Sequence, residues 1–190
     1  MTQHSFTVIR IPETSSTNSA ILEMAKKQKL NRLVLAADHQ TAGRGQFGRK
    51  WLSSPGENLL FSIYFEPQIK PAQASALTGI ACEAVMAVLT QAGIQGTIKP
   101  PNDILVQGKK ICGILTEASS AGEKLEYVVV GIGLNVNSTA ETLLPEAISM
   151  RLAAGKTFER LELLDLTLKE FENRATSHFS VEFDRLVGRQ

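Results

Sequence analysis

Between Gly96 and Asn137 the chain offers three strand-like runs with only turns between them. Asp103-Ile104-Leu105-Val106 and the run Lys110–Ala118 flank Gln107-Gly108-Lys109, and Ser119-Ser120-Ala121-Gly122-Glu123-Lys124 leads into the valine-rich run 127–137. Parallel neighbours need a crossover of a dozen or more residues, whereas a short turn containing glycine returns the chain antiparallel. This block therefore predicts adjacent antiparallel strands, and the rest of the chain must build around it.

Upstream, Phe6–Ile11 alternates apolar and polar residues and is expected to end at Pro12. The apolar runs 32–38 and 58–67 read as buried strands. The cluster Thr14-Ser15-Ser16-Thr17-Asn18 precedes a helical pattern over 19–28, with Lys26 and Lys27 where cations suit the helix dipole. A second helix is predicted over 71–93, with Pro71 early and Gly93 as its stop, and two more over 140–154 and 159–187. Helices interspersed with hairpin-connected strands favour an α+β fold: a mixed, largely antiparallel central sheet with flanking helices. No repeat, linker or low-complexity tract divides the chain, so residues 1–190 are expected to form a single domain.

Charge and composition exclude several functions. The net charge of +1 offers no basic excess for a polyanion such as DNA. The N-terminus is too polar for a signal peptide, and no apolar run is expected to approach the roughly 18 residues of a membrane span. Cys82 and Cys112 lie in apolar surroundings and read as buried free thiols in a reducing compartment; a cytoplasmic protein with no membrane partner is expected. With only His4, His39 and His178 available and no paired cysteine motif, no metal-ligating residues are assigned.

The segment Thr41–Trp51, TAGRGQFGRKW, carries the densest functional signal. Gly43, Gly45 and Gly48 match G-x-G-x-x-G, but Pro55-Gly56 and a strand follow where a dinucleotide site needs a helix. It also fails as a P-loop, because Arg49 and Lys50 stand where Lys and Ser or Thr are required. Bare backbone with Arg44, Arg49 and Lys50 suits close approach to an anion. Trp51 is either a core anchor or an aromatic wall for a flat ring, and an ordinary solvated turn stays open for the loop.

Two further constellations add to it. Lys99-Pro100-Pro101-Asn102-Asp103 is a stiff turn entering a strand, and Lys110 lies just across the hairpin. Cations at Lys99 and Lys110 that face one pocket would stabilise developing negative charge. Lys109 is read instead as a solvated tip. Gly131 and Gly133 bare one face of a strand, from close approach of another group or from tight packing, and Asn135 shares their alternation.

The segments SSTNSAI, QTAGRGQFGRKW, KPPNDILV, GKKICGIL and GIGLNVN, over roughly 14–137, resemble in order and spacing the catalytic domain of a biotin–protein ligase. The resemblance implies an α+β fold related to class II aminoacyl-tRNA synthetases and an ATP-dependent ligase. Biotin and ATP would give biotinyl-5′-AMP, with Mg²⁺ helping the nucleotide, and the biotinyl group would pass to a lysine of a biotin carboxyl carrier protein. It places Ser16, Thr17, Asn18, Gln40, Gly43, Arg44, Gly45, Lys110 and Gly113 around biotin, and Arg49, Trp51, Lys99, Asn102, Asp103 and Asn135 around the nucleotide. Lys110 and Arg44 would be the catalytic pair.

Gln46 stands where the family loop often has a second arginine, and Pro100 where a tryptophan is usual. No winged helix precedes Phe6, so no DNA-binding role is expected. The chain stops where many relatives carry a small β-barrel, and a homodimer through a sheet edge stays open. A lipoate–protein ligase or octanoyltransferase, or a non-catalytic biotin-binding module, are the alternatives.

Overall fold

The fold is given by a computed structural model that describes residues 4–28 and 31–187. Residues 1–3, 29–30 and 188–190 of the expected single domain lie outside the described residues.

A seven-stranded sheet runs in the order β1-β2-β5-β9-β8-β7-β6. Its strands are β1 (Thr7–Thr14), β2 (Leu33–Gln40), β5 (Leu59–Phe65), β6 (Thr97–Lys99), β7 (Asp103–Val106), β8 (Lys109–Ala121) and β9 (Lys124–Leu134). Only the β1–β2 pair is parallel; every other pair in this sheet is antiparallel. A small hairpin, β3 (Gly43–Arg44) and β4 (Lys50–Trp51), stands apart from it. The mixed, largely antiparallel sheet expected from sequence is what forms.

The hairpin signals act as their chemistry requires. Gln107 and Gly108 both take positive φ, 52° and 74°, as a two-residue turn between β7 and β8 needs. Gly122, at φ 59°, opens the turn between β8 and β9.

Alternation along the strands separates two apolar faces. Val34, Phe61, Ile114, Val130 and Ile132 point to the larger core, against helices α2 (Ala76–Gln91) and α4 (Arg160–Phe179). Leu33, Leu35, Tyr64 and Val129 point the other way, against Ile21 and Ala25 of α1 (Thr17–Gln28). Further along this second face the strands carry Ser62, Gly131, Gly133 and Gly113 instead of bulky residues, and a cavity opens there. Short helices α3 (Met150–Ala154) and α5 (Phe183–Leu186) complete the fold.

Four expectations are corrected. The helix expected over 159–187 breaks at Ser180, whose φ of 53° ends α4 before α5 begins at Phe183. β1 continues through Pro12 to Thr14, because an edge strand tolerates a residue without an N–H. Residues 140–149 are not helical: the Lys110 N–H donates to the Glu146 carbonyl, and the Ile148 N–H donates to the Lys110 carbonyl. Pro145 has no N–H to give a helix, and Ser149, whose hydroxyl donates to the Ser138 carbonyl at 2.6 Å, starts α3 only at Met150. Finally, Pro71–Gln91 is long and apolar enough to cross a membrane, with mean hydropathy 1.5, against the expectation that no run was. Here it is a 3₁₀ turn followed by α2, whose Leu77, Ile80, Val85 and Val88 lie in the core.

Candidate active site

The start of α1 and the end of β2 build one end of the cavity. Both the backbone N–H and the hydroxyl of Thr17 donate to Gln40 Oε1, at 2.8 and 3.1 Å. Asn18 is buried; its amide nitrogen donates to Glu117 Oε2 at 2.7 Å and to the Leu115 carbonyl at 3.2 Å. The buried Ser62 hydroxyl lies 2.5 Å from Asn18 Oδ1 and 2.8 Å from Thr17 Oγ1. A Cβ on Gly131 would come within 2.2 Å of Asn18 Oδ1, so the bare strand gives this side chain its place. Ser16, Thr17, Asn18 and Gln40 thus form a fixed polar wall.

The glycine-arginine segment folds over this wall as the β3–β4 hairpin, pairing Gly43 with Trp51 and Arg44 with Lys50. The Gly45 N–H donates to the Arg49 carbonyl at 2.7 Å. A Cβ on Gly43 would lie 2.6 Å from the Trp51 carbonyl oxygen, so this glycine sets the closeness of the hairpin rather than the cavity surface. Phe47 takes φ 57° at the tip and is 92% exposed. Arg44, Gly45 and Arg49 line the cavity, and Arg44 Nη2 is 3.0 Å from Glu117 Oε2.

The other end is built by the β6–β7–β8 hairpins. The register between β7 and β8 slips at Ile104/Leu105: Ile104 pairs with Cys112 and Leu105 with Lys110, leaving Ile111 as an extra residue. Lys110 and Gly113 are three apart, so a regular strand would put them on opposite faces. The bulge turns both into the cavity while Ile111 and Cys112 enter the core. Lys110 Nζ is 2.7 Å from Asp103 Oδ1 and 5.5 Å from the centre of the Trp51 ring.

That ring lies flat on the glycines. A Cβ on Gly133 would meet Trp51 at 2.6 Å and one on Gly113 at 3.0 Å. Trp51 is therefore a wall of the cavity. Lys99 lines it as well. Asn102 is buried and spends its amide N–H on the Ile114 carbonyl at 2.7 Å, while its own carbonyl accepts from the Ile114 N–H; it holds the strand next to the bulge. Asn135 gives an amide N–H to the Ile148 carbonyl at 3.2 Å.

The cavity volume is about 650 Å³, within the range of small-molecule sites. The cavity joins every candidate residue from the sequence except Gly43. It does not put the two candidate cations side by side. Glu117, which holds Arg44, is four residues along β8 from Gly113, roughly 13 Å at the usual strand rise. Arg44 belongs to the hydroxyl-and-amide end, Lys110 to the opposite end.

Sequence reasoning missed three contributors. Ser62 is one. Glu117 is another, although it follows Gly113 and Leu115 at the strand period of two. The segment carrying Glu141, Leu144, Glu146 and Ala147 lines the cavity and was read as helix. No thiol enters the site: Cys82 and Cys112 are buried in the core and unpaired. Burial pushes the Cys82 thiol up to about 11 and the Cys112 thiol well above its ordinary value. Among the described residues no group of three or more His, Cys, Asp or Glu side chains could hold a metal ion.

A profile of the biotin/lipoate A/B protein ligase family matches residues 9–135. The bifunctional ligase/repressor BirA of Bacillus subtilis is 36% identical over 174 residues, which are 89% of this chain and 54% of that protein. The biotin–[acetyl-CoA-carboxylase] ligase of Paracoccus denitrificans is 32% identical over 169 residues, 85% of this chain and 70% of that one. Among solved structures, the biotin protein ligase of Aquifex aeolicus in complex with biotin and ATP superposes with a TM-score of 0.75 at 30% identity, covering 93% of this chain and 73% of that one. The chain spans about half the length of the Bacillus proteins it matches.

Proposed function

This chain belongs to the biotin/lipoate A/B protein ligase family, and we propose that it is an ATP-dependent biotin–protein ligase. In the first step a biotin carboxylate oxygen attacks the α-phosphorus of ATP, pyrophosphate leaves, and biotinyl-5′-AMP forms. In the second, an acceptor lysine amine attacks the acyl carbon, AMP leaves, and an amide remains. The acceptor is a biotin carboxyl carrier protein or domain, in keeping with the biotin–[acetyl-CoA-carboxylase] ligases it resembles.

The observation that carries this reading is Lys110, turned by the bulge into a glycine-floored cavity against Trp51 and Asp103. Two anions must meet in the first step and repel each other. A fixed cation between them stabilises the charge that builds on the phosphorane. Lys110 holds Asp103 until a carboxylate and a phosphate compete for its three N–H donors. The neutral hydrogen-bonding end, with Ser16, Thr17, Asn18 and Gln40, suits the uncharged cyclic urea of biotin, and the Arg44 hairpin closes over it. Trp51 and Asn135, with Arg49, Lys99 and Asn102, face the nucleotide.

Mg²⁺ would arrive with the triphosphate. Such an ion keeps several waters and takes few protein ligands, so the lack of a three-residue cluster among the described residues is no obstacle. Asp103, an oxygen donor in the cavity, is the residue to hold it, and the ion would neutralise triphosphate charge.

Biotin-dependent exchange of labelled pyrophosphate into ATP tests the reading. Exchange is expected with biotin and not with lipoate or octanoate. Exchange with those acids instead would make it a lipoate-type enzyme. Biotin binding by calorimetry without any exchange would make it a non-catalytic module.

A further inference from the structure

We infer that Glu117 is a positioning residue that holds the Arg44 hairpin shut over the polar end of the cavity; for substrate the inference rests on the biotin reading above. Glu117 faces the cavity side of β8 but does not line the cavity itself. Its Oε2 accepts from two directions, Asn18 Nδ2 at 2.7 Å and Arg44 Nη2 at 3.0 Å. The first partner cannot move: Asn18 is buried, bonded to the Leu115 carbonyl and near Ser62, and seated in the space left by Gly131.

The second partner can. Arg44 keeps 46% of its side-chain surface in solvent and sits on a two-residue strand whose loop ends in the exposed Phe47. The carboxylate therefore joins a rigid part of the site to a movable one. Its charge is matched by Arg44, so a cation can stand at the polar end without attracting the substrate carboxylate away from Lys110. The same pairing sets which way the Arg44 backbone and guanidinium face when the hairpin covers the ligand.

The test is Glu117→Gln, which keeps the shape and one acceptor oxygen but removes the charge. Two readouts are taken on the full chain. Without ligand, trypsin cuts after Arg44, Arg49 and Lys50, at a rate that follows how often the hairpin opens. The variant is expected to be cut about three- to fivefold faster, the size for a half-exposed charge-assisted bond. In biotin-dependent exchange, KM for biotin should rise by a similar factor while kcat stays within about twofold, because the bond orients rather than reacts.

Arg44→Met, followed at the Arg49 and Lys50 sites alone because the change removes the first site, should open the hairpin to the same extent, and adding Glu117→Gln to it should change neither readout further. Equal cutting of wild type and Glu117→Gln, or additive effects in the double variant, would overturn the inference. So would a fall in kcat at unchanged KM. If Glu117→Gln does not fold, unchanged cutting after Arg49 and Lys50 in Arg44→Met does the same. An absence of exchange in the wild type would instead count against the biotin reading, and the proteolysis arm would still decide the latch.

Discussion

Gly131→Ala is a sharp test of how the site is built. Its φ lies outside the left-handed region, so alanine meets no backbone strain, and removing a strand glycine by itself is worth up to about 1 kcal/mol of stability. The new methyl, however, would stand 2.2 Å from Asn18 Oδ1 and 2.9 Å from its Cγ. Asn18 is buried and cannot rotate into solvent. It must give up its bonds to Glu117 and the Leu115 carbonyl, or the strand must shift. Overpacking of this kind costs about 1–3 kcal/mol, and a lost charge-assisted bond about 1.5 more when partly exposed. Less the glycine gain, the net loss is about 2 kcal/mol, a fall in Tm of about 4–8 °C for a chain of this size.

Thermal unfolding followed by circular dichroism measures it. Gly79→Ala is the control: exposed on α2 with nothing within 4 Å of the new methyl, it should stabilise by about 0.5–1 kcal/mol. If Gly131→Ala melted with wild type or above it, the claim that this glycine exists to seat Asn18 would be wrong.

Lys110→Ala should lower biotin-dependent exchange by about a hundredfold or more, in line with loss of a preorganised charge; a rate near wild type would remove Lys110 from the chemistry. Gly133→Ala should leave Tm closer to wild type than Gly131→Ala does but weaken ATP or biotin binding measured by calorimetry, because the group it displaces is the Trp51 ring in the open cavity. A thiol reagent at pH 8 should modify neither cysteine until the protein is unfolded, since burial raises both thiols. The folded state then holds protons that the unfolded chain releases, so stability should fall as pH rises from 9.0 toward about 11 for Cys82. The slope is about 1.4 kcal/mol per pH unit per thiol; a urea midpoint with the same pH dependence in Cys82→Ala would contradict it.

The parts of this molecule that were legible in sequence are those fixed by local chemistry. Gln107-Gly108 and Gly122 made their turns, so the antiparallel block from β7 to β9 could be read directly. Gly131 and Gly133 signalled either close approach of another group or tight packing, and Asn18 and Trp51 are the groups that approach. What stayed hidden depends on neighbours distant in the chain. Residues 140–149 carry enough helix formers to look helical, yet their backbone is claimed by Lys110 more than thirty residues earlier. Glu117 looked like one more polar residue on a half-buried strand because its partners are on α1 and the β3–β4 hairpin.

The slip in register at Ile111 shows why this distinction matters for function. A sequence read at period two sends Lys110 and Gly113 to opposite faces, which would leave the cation behind the sheet. The extra residue costs one position of pairing with β7, and Asn102 compensates by bonding Ile114 on both its amide and its carbonyl. On the outer side, the Lys110 backbone bonds Glu146 and Ile148 in place of a ninth-strand partner, since β9 ends at Leu134 opposite Cys112. The lysine is thus held from two sides by segments whose side chains also line the cavity. Its aim into the cavity follows from backbone geometry, which Asn102 supports through its two bonds to Ile114.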